Sequence, residues 1–340
     1  MKKEPDSEQQ LPLRNWPQIE VNKIRRLPFR ERDNKVSVND FGHPDQASDW
    51  TGWLASLPRV LAAADLRLLV DRLLAARQRQ HTIIWMLGGH VVKTGLAPYL
   101  NDLMASGFIS VLAMNGSASI HDVEIALFGK TSEDVAKNLA DGSFGMVAET
   151  GDFFQTAYAT AQASGCGMGE GIARHLERQQ APHREASMIH TAWRLEVPCT
   201  VHVALGCDIL HQHPGADGAA IGELTMHDFR ILAEATRALE PEGVVVNLGS
   251  AVVMPEVFLK AYTMARNLGC RPRRLTTVNL DMIQHYRPRE NVLYRPTTWG
   301  GEAIPLTGHH EIMIPLLHAL LRAGSGGSST SANTGRNLRG

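Results

Sequence analysis

Short apolar runs that end in glycine alternate with longer amphipathic segments along most of this chain, and this alternation limits what it can fold into. The run TIIWML (82–87) ends at Gly88-Gly89, and GVVVNLG (243–249) ends in glycine as well. Such short runs between turn signals are typical of buried strands, whereas apolar residues at three- and four-residue spacing are typical of helices. Alternating strands and helices predict an α/β fold with a mostly parallel sheet covered by helices on both faces.

The same patterns give the order of the predicted elements. Strands are predicted at 82–87, 108–114, 198–205, 243–249 and 274–280. Helices are predicted at 53–78, 94–107, 121–129, 132–142, 229–240, 257–269 and 311–324.

The two ends of the chain differ in composition from this region. Residues 1–50 are rich in charge, proline and asparagine, which predicts an arm or irregular extension before an α/β domain at 51–323. Residues 324–340 are rich in glycine, serine and asparagine, which predicts a disordered tail.

Charge and cysteine usage narrow the class of protein. Lys and Arg total 34 against 35 Asp and Glu, so we expect binding to neither nucleic acid nor an anionic membrane. The four cysteines form no CxxC pair, and the first residues contain no apolar signal segment. Together with the lack of an 18-residue apolar stretch, these features predict a reduced, cytoplasmic protein without a membrane span.

Small and polar residues follow four of the predicted strands. In parallel sheets ligands bind in the crevice at the carboxyl ends of the strands, and glycine lets the backbone approach a ligand closely. The sequence lacks a G-x-G-x-x-G motif, so these turns favour either a nucleotide site of another kind or glycines that only end strands. The turns are Gly88-Gly89-His90, Asn115-Gly116-Ser117, Gly206-Cys207-Asp208 and Asn247-Leu248-Gly249-Ser250.

Residues 55–322 resemble the deoxyhypusine synthase family in the order and spacing of several loose motifs. The segment MLGGHVVKTGLAPYLNDLMASGFISVLAMNGSASIHDVEIALFG (86–129) is similar to its first nucleotide-binding unit. EASMIHTAWRLEVPCTVHVALGCDIL (185–210), GVVVNLGSAVV (243–253) and the Trp-Gly region within 276–321 are similar to later parts of that family.

The resemblance implies a Rossmann-like, NAD-binding fold, with NAD at subunit interfaces of a homotetramer built as a dimer of dimers. It also implies a small-molecule substrate. By matching position, the cofactor contacts would be Gly88, Gly89, Lys93, Thr94, Asn115, Gly116, Ser117, His121, Asp122, Gly249, Ser250, His309 and His310.

The sequence departs from this family where its chemistry is carried out. The family's lysine after Trp-Gly, which forms an imine with substrate, corresponds to Gly301, and glycine has no amine for that step. Arg289 and Arg295 replace carboxylates that hold a polyamine, and arginine suits carboxylate or phosphate instead. We therefore expect an anionic substrate bound by these arginines, with Trp299 as a pocket wall, although the arginines also fit a solvated loop.

A second group of polar residues lies in the stretch 202–213. His202, Asp208, His211 and His213 offer imidazole and carboxylate ligands at close spacing, although the spacing matches no strong zinc signature. Histidines at strand ends also serve as general acids or bases, so Asp208 and His211 are candidate catalytic residues.

Three hypotheses follow from these patterns. The first is an NAD-dependent enzyme similar to deoxyhypusine synthase but with altered chemistry, which transfers a hydride to or from a small substrate. The second is a non-catalytic or regulatory NAD-binding homologue. The third is a metal-dependent enzyme that uses the His202–His213 region.

Overall fold

The computed structural model describes residues 17–326, which form two compact units. The first unit ends at Asp40, and its described residues contain three short 3₁₀ helices, Val21–Lys23, Phe29–Glu31 and Val38–Asp40. The second unit begins at Phe41 and therefore includes the last ten residues of the predicted arm. Residues 1–16 of that arm and 327–340 of the predicted tail lie outside the described residues, and Gly324 ends a helix.

Six parallel strands form one sheet. They are β1 Ile83–Leu87, β2 Val111–Asn115, β3 Cys199–His202, β4 Val244–Leu248, β5 Leu275–Asp281 and β6 Gly301–Thr307. Their order across the sheet is β3-β2-β1-β4-β5-β6. Strands β2 and β3 lie on one side of β1 and strands β4 to β6 on its other side, so the strand order reverses between β1 and β4.

Helices connect these strands, and no helix among residues 17–326 is long and apolar enough to cross a membrane. The last crossover, between β5 and β6, contains a π-helical stretch, Arg289–Tyr294. It lies between the short helical turns Tyr286–Pro288 and Arg295–Thr297. The helices are α1 Trp50–Ser56, α2 Leu61–Gln78, α3 Gly89–Lys93, α4 Ala97–Ala105, α5 Gly116–Phe128, α6 Val135–Leu139, α7 Ala148–Ser164, α8 Met168–Arg178, α9 Met188–Arg194, α10 Gly218–Arg237, α11 Val253–Asn267, α12 Tyr286–Pro288, α13 Arg295–Thr297 and α14 His310–Gly324.

The two faces of the sheet are buried in two separate apolar cores. Along β1, Ile83, Trp85 and Leu87 face a core that includes α2, α4, α5, α7, α8, α9 and α14. Ile84 and Met86 face the opposite core, which includes α11 and part of α10. Side chains of a strand alternate between the faces of a sheet, so a strand buried on both sides must be apolar throughout. The predicted α/β fold with a parallel sheet and helices on both faces is confirmed.

Several elements differ from the sequence-based expectation. The helix predicted at 132–142 is only one turn, Val135–Leu139, and helices α7 and α8 fill a stretch for which no element was predicted. Strand β6 was also not predicted. Its residues GEAIPLT contain a proline and are only partly buried, because β6 lies at the edge of the sheet and pairs only with β5.

The opposite edge of the sheet, at β3, is closed by side chains of α10. Asp228 accepts a hydrogen bond from the backbone N–H of Val201 at 2.7 Å, and Thr225 accepts one from that of Val203 at 3.0 Å. Asp228 also accepts from the N–H of Gly169 at the start of α8. Unpaired strand edges promote association with other chains, so these contacts protect the edge while joining three elements.

The close approach of Gly88 and Gly249 gives a test of the sheet's construction. A Cβ on Gly88 would lie 2.0 Å from the carbonyl oxygen of Gly249, whereas a Cβ on Gly222 in α10 would meet nothing within 4 Å. We expect Gly88→Ala to lower the free energy of unfolding by roughly 1–3 kcal/mol, because the turns after β1 and β4 must separate.

Gly222→Ala is the matched control and should stabilise the protein by about 0.5–1 kcal/mol through helix propensity. Urea unfolding of both variants measures the two changes. Equal stability of Gly88→Ala and the unsubstituted protein would contradict the close contact.

Candidate functional site

The carboxyl ends of the six parallel strands lie on one side of the molecule, and the strand order reverses between β1 and β4, which in sheets of this kind marks the crevice where ligands bind. The turns after β1 and β4 meet at this point. Gly249 has φ of 65°, a left-handed conformation that glycine adopts without strain, and the N–H of Gly88 bonds to the carbonyl of Leu248 at 3.0 Å. The reversal point of such a sheet is where ligands bind in proteins of this architecture.

Two buried polar atoms beside this crevice have no hydrogen-bond partner among the described residues. They are Nδ1 of His310 and Oδ1 of Asn247. The Nε2–H of His310 is directed at the carbonyl of Leu280 at 3.3 Å, so the neutral ring leaves Nδ1 as an acceptor. Burial lowers the pKa of His310 and so favours this neutral form. Buried acceptors without partners are costly, and donors from a bound molecule would satisfy them.

The His310 ring also contacts the turns of the crevice directly. A Cβ on Gly249 would lie 2.9 Å from Cε1 of this ring, so only glycine fits there. The ring of His90, which follows Gly89, lies 5.6 Å from that of His310, centroid to centroid. His309, also predicted to contact a cofactor, is instead mostly exposed.

A cleft of about 550 Å³ adjoins the turns after β1, β2 and β3. Five of the predicted site residues reach it or its border: Lys93, Ser117, His121 and Asp208 line it, and Gly89 contacts Ser117 and His121. The remaining lining comes from Ile120, Glu124, Phe128, Lys130, Thr131, Ser132, Glu133, Val135, Phe144, Val147, Thr150, Cys207 and Ile209. A volume of this size is in the range of small-molecule sites.

A second cavity, of about 580 Å³, lies between α8, α9, α10 and the start of β3. Its buried carboxylate, Asp228, is already engaged with the backbone of β3 and α8. We assign the functional site to the cleft at the carboxyl edge, because only that cleft combines titratable side chains with the glycine turns.

Asp208 lies against the first residue of α5. Its carboxylate is so close to Gly116 that a Cβ there would be 2.0 Å from Oδ2. Asp208 also caps the 3₁₀ turn Ile209–Gln212 together with His211, whose Nδ1 accepts from the backbone N–H of Gly206 and Asp208. Burial raises the pKa of Asp208 to about 6. The predicted catalytic pair is therefore brought together, with Asp208 in the cleft and His211 in a capping role.

His121 is the other titratable group at the centre of the cleft. Its Nδ1 lies 2.7 Å from Oγ1 of Thr131, and the Thr131 hydroxyl donates to Glu124. Thr150 donates to the second oxygen of Glu124 at 3.3 Å. Burial opposes ionisation of Glu124, but hydrogen bonds from Thr131 and Thr150 and the nearby His121 imidazole leave its pKa below the ordinary value. Glu124 is thus an ionised acceptor at neutral pH.

Sequence reasoning missed Glu124, Thr131 and Thr150. Glu124 follows His121 by one helical turn, so helical spacing alone carried a signal that the two share a face. Thr131 and Thr150 come from the loop after α5 and from α7, and only the tertiary fold brings them to this helix.

Other predicted cofactor contacts serve the local backbone. Asn115 accepts from the N–H of Ala118 and caps α5, and the Thr94 hydroxyl bonds to the carbonyl of His90. Ser250 is buried and accepts from the N–H of Met254 at the start of α11. These positions border the crevice, but their side chains are already occupied.

Asp122 is turned away from the cleft. It is 1% exposed and accepts from the Ser187 hydroxyl and from the N–H groups of Met188 and Ile189. It therefore ties α5 to the start of α9, and within this chain it cannot reach a cofactor in the crevice.

The predicted substrate arginines are also not in the cleft. Both belong to the helical crossover 286–297 on the opposite face of the sheet from α5. Arg289 pairs with Glu290 at 3.5 Å, and Arg295 donates to Asn291 at 2.5 Å. Arg289 thus has a carboxylate partner and Arg295 an amide partner within the same crossover.

Trp299 lies at the other end of the sheet. It precedes β6, which begins at Gly301, so it lies near the amino ends of the strands. The cleft lies at their carboxyl ends. The side chain is 68% exposed, and the Arg266 guanidinium lies 4.7 Å from its ring centroid. Within one chain, Trp299 does not line the cleft.

The residues proposed for a metal diverge from one another. His202 is buried, and its Nε2 lies 2.9 Å from Oγ1 of Thr200. The Nε2 of His213 lies 2.8 Å from the carbonyl oxygen of Gly145. Among residues 17–326, no group of three or more His, Cys, Asp and Glu is arranged to hold a metal ion. The metal hypothesis for His202–His213 thus finds no support in the geometry.

Part of the chain matches a known family. Residues 67–158 match the family model described as "Arginine dihydrolase ArgZ-like, C-terminal, Rossmann fold". This segment runs from α2 to α7 and contains the first two strand-end turns and most of the cleft lining. The predicted Rossmann-like fold is confirmed by this match. None of the curated proteins matches the chain.

Three solved structures illustrate the similarity. ArgZ, an arginine dihydrolase from the ornithine–ammonia cycle in cyanobacteria, has 13% identity and a TM-score of 0.47, over 78% of this chain and 34% of ArgZ. AgrE in complex with ornithine and NAD+ has 14% identity and a TM-score of 0.49, over 79% of this chain and 35% of AgrE. A candidate deoxyhypusine synthase from Entamoeba histolytica has 12% identity and a TM-score of 0.49, over 84% of this chain and 97% of that one. The chain thus spans about a third of the length of ArgZ and AgrE.

The raised pKa of Asp208 predicts a pH-dependent stability. Its pKa is about 6 in the folded protein and about 3.9 in an unfolded chain. The folded state therefore holds the proton more tightly, so this contribution is fully present below about pH 4 and is lost as pH rises through about 6. Relative to the unsubstituted protein, Asp208→Asn should gain up to about 3 kcal/mol of unfolding free energy between these values.

Urea unfolding at pH 4 and pH 7 measures this difference, and Asp71→Asn on the exposed face of α2 is the control. Two parallel pH profiles for Asp208→Asn and the unsubstituted protein would show that Asp208 is not buried as described.

Proposed function

We propose that this protein is an NAD-dependent enzyme with a deoxyhypusine synthase-like fold that acts on a small substrate by hydride transfer. The observation that carries this proposal is the reversal of strand order between β1 and β4, where Gly88 and Gly249 meet and two buried acceptors lack partners. Parallel sheets with this strand order bind dinucleotides at that point. NAD, when bound, supplies the oxidant or reductant that the side chains themselves lack.

The residues around the crevice fit such a cofactor. Gly88, Gly89 and Gly249 let the turns after β1 and β4 pack closely against each other and against Ser117 and His310, and Nδ1 of His310 and Oδ1 of Asn247 are acceptors that hydroxyl or amide groups could satisfy. Both acceptors are neutral groups, so they recognise polar parts of a cofactor without attracting cations.

The adjoining cleft supports a substrate different from the one the sequence suggested. Lys93 and Lys130 line it, and so do Asp208 and Glu133. A lining with both signs of charge suits a small zwitterion such as an amino acid better than a simple anion. Arg289 and Arg295 take no part in this binding, because they lie on the other face of the sheet.

Deoxyhypusine synthesis itself is not part of the proposal. Gly301, at the position of the family's imine-forming lysine, has φ of 145°, and a Cβ there would lie 2.5 Å from the carbonyl oxygen of Leu275. A lysine therefore cannot be introduced here by substitution alone, because its Cβ would collide with the backbone of β5 and its φ would be strained.

Cofactor binding is the direct test. NAD+ should raise the melting temperature, because a ligand that binds only the folded state stabilises it. Lys93 lines the cleft one turn after Gly89, so Lys93→Ala should weaken NAD+ binding by roughly tenfold, the value of one charged hydrogen bond. Calorimetry with NAD+ and NADH measures both affinities.

Lys137→Ala is the matched control, because Lys137 is an exposed lysine of the short helix α6 and does not line the cleft. No binding of either form of NAD at millimolar concentration would refute the proposal. Binding without any reduction of NAD+ across a panel of amino acids and hydroxy acids would favour the non-catalytic homologue instead.

A further inference from the structure

The side chains around His121 determine which of its ring nitrogens carries the proton. Glu124 is ionised and can only accept, so the single proton of the Thr131 hydroxyl is donated to Glu124. The Thr131 oxygen, 2.7 Å from Nδ1 of His121, must then act as the acceptor of that contact. Neutral His121 is therefore held with its proton on Nδ1, and Nε2 carries a free lone pair.

The free nitrogen lies on the side of the ring that faces the cofactor crevice. Cδ2, the ring atom next to Nε2, is 3.2 Å from the position of a Cβ on Gly89, in the turn after β1. The Ser117 hydroxyl, one helical turn before His121, is 2.4 Å from the same position. The His121 side chain is 13% exposed, so it is largely shielded but still open to the cleft.

This arrangement has the parts of a general acid–base site. A base needs a reachable lone pair, a fixed tautomer and an orienting partner, and a carboxylate that acts on the far ring nitrogen supplies the last two. Here a threonine hydroxyl stands between the imidazole and the carboxylate. Ionised Glu124 also stabilises the imidazolium that forms when Nε2 takes a proton.

We propose that His121 is the acid–base residue of the cleft and that Thr131 and Glu124 are its positioning residues. This inference rests on the proposed NAD-dependent function for its reaction partner. As the substrate's C–H hydrogen leaves with its electron pair to NAD+, the proton of the adjacent hydroxyl or amine passes to Nε2, and the carbon becomes a carbonyl or imine. In the reverse direction His121 returns the proton. The substrate is therefore a small alcohol or amine with a hydrogen on the carbon that bears the hydroxyl or amino group, and His121 contacts it rather than the cofactor.

The tautomer can be read directly without cofactor or substrate. Long-range proton–nitrogen NMR of the full chain, labelled with ¹⁵N-histidine and assigned with His121→Asn, shows which ring nitrogen carries the proton. We expect the Nδ1–H form at neutral pH, and we expect the double variant Thr131→Val with Glu124→Gln to convert His121 mainly to the Nε2–H form. Both residues are replaced because Oε2 of Glu124 lies only 3.7 Å from Nδ1 and could hold its proton in the absence of Thr131. Thr156→Val, on α7 and outside the cleft, is the control and should leave the tautomer unchanged.

An Nε2–H tautomer in the unsubstituted protein, or an unchanged tautomer in the double variant, would overturn the proposal. Glu124→Gln alone provides a second variant in case the double variant fails to fold. It should also shift the tautomer, because an amide side chain no longer requires the threonine proton.

Cofactor affinity separates an acid–base role from a cofactor contact. The affinity of His121→Asn for NAD+ should stay within about twofold of that of the unsubstituted protein. Any rate of NAD+ reduction found with the panel of amino acids and hydroxy acids should fall by about 100-fold or more. Loss of NAD+ binding in His121→Asn would make His121 a cofactor ligand and overturn the assignment. If the unsubstituted protein does not bind NAD+ at all, the proposed function fails. The NMR result still shows whether Thr131 and Glu124 hold the proton of His121 on Nδ1.

Discussion

The contact between the turns after β1 and β4 is the constraint on which the rest of this structure depends. The two strands pair in register from Ile83 with Val244 to Leu87 with Leu248, and their chains then turn in opposite directions. The turns diverge above a backbone contact that only glycine permits at Gly88. This contact brings the two halves of the sheet together and at the same time leaves a crevice between the helices that follow.

Polar side chains inside the fold hold the elements around that crevice. Asn247 and Asn279, on neighbouring strands, share a hydrogen bond of 2.7 Å, and Gln284 continues the network to the carbonyl of Leu306. On the other half of the sheet, the buried carboxylates Asp122 and Asp228 fix the starts of α9 and α8. Burial raises the pKa of these two carboxyls to about 6 and about 7. Paired and buried groups of this kind position backbone elements, and removing one partner costs more than the bond itself contributes.

The candidate site combines residues of very different predictability. Gly88, Gly89, Ser117 and Asp208 were expected at strand ends, and parallel topology brings the carboxyl ends of strands together whatever the loops do. His121 was expected only from the family resemblance, and it lines the cleft because its helix α5 begins at such a strand end. Arg289, Arg295 and Trp299 were assigned through motif position in the crossover before β6. Their side chains point elsewhere because that crossover runs from the carboxyl edge back to the amino edge of the sheet.

The sequence by itself determined the α/β alternation, the parallel sheet and the glycine turns, because each depends on the spacing of apolar residues and on backbone freedom within a few positions. Only the tertiary structure decided which turns meet, and it did so through the strand order that places β4 beside β1. It also decided the protonation of His121, since Thr131 lies in a loop and Glu124 accepts its proton only when that loop folds back on α5. A side chain's identity is local, but its charge and tautomer depend on neighbours that are distant in sequence.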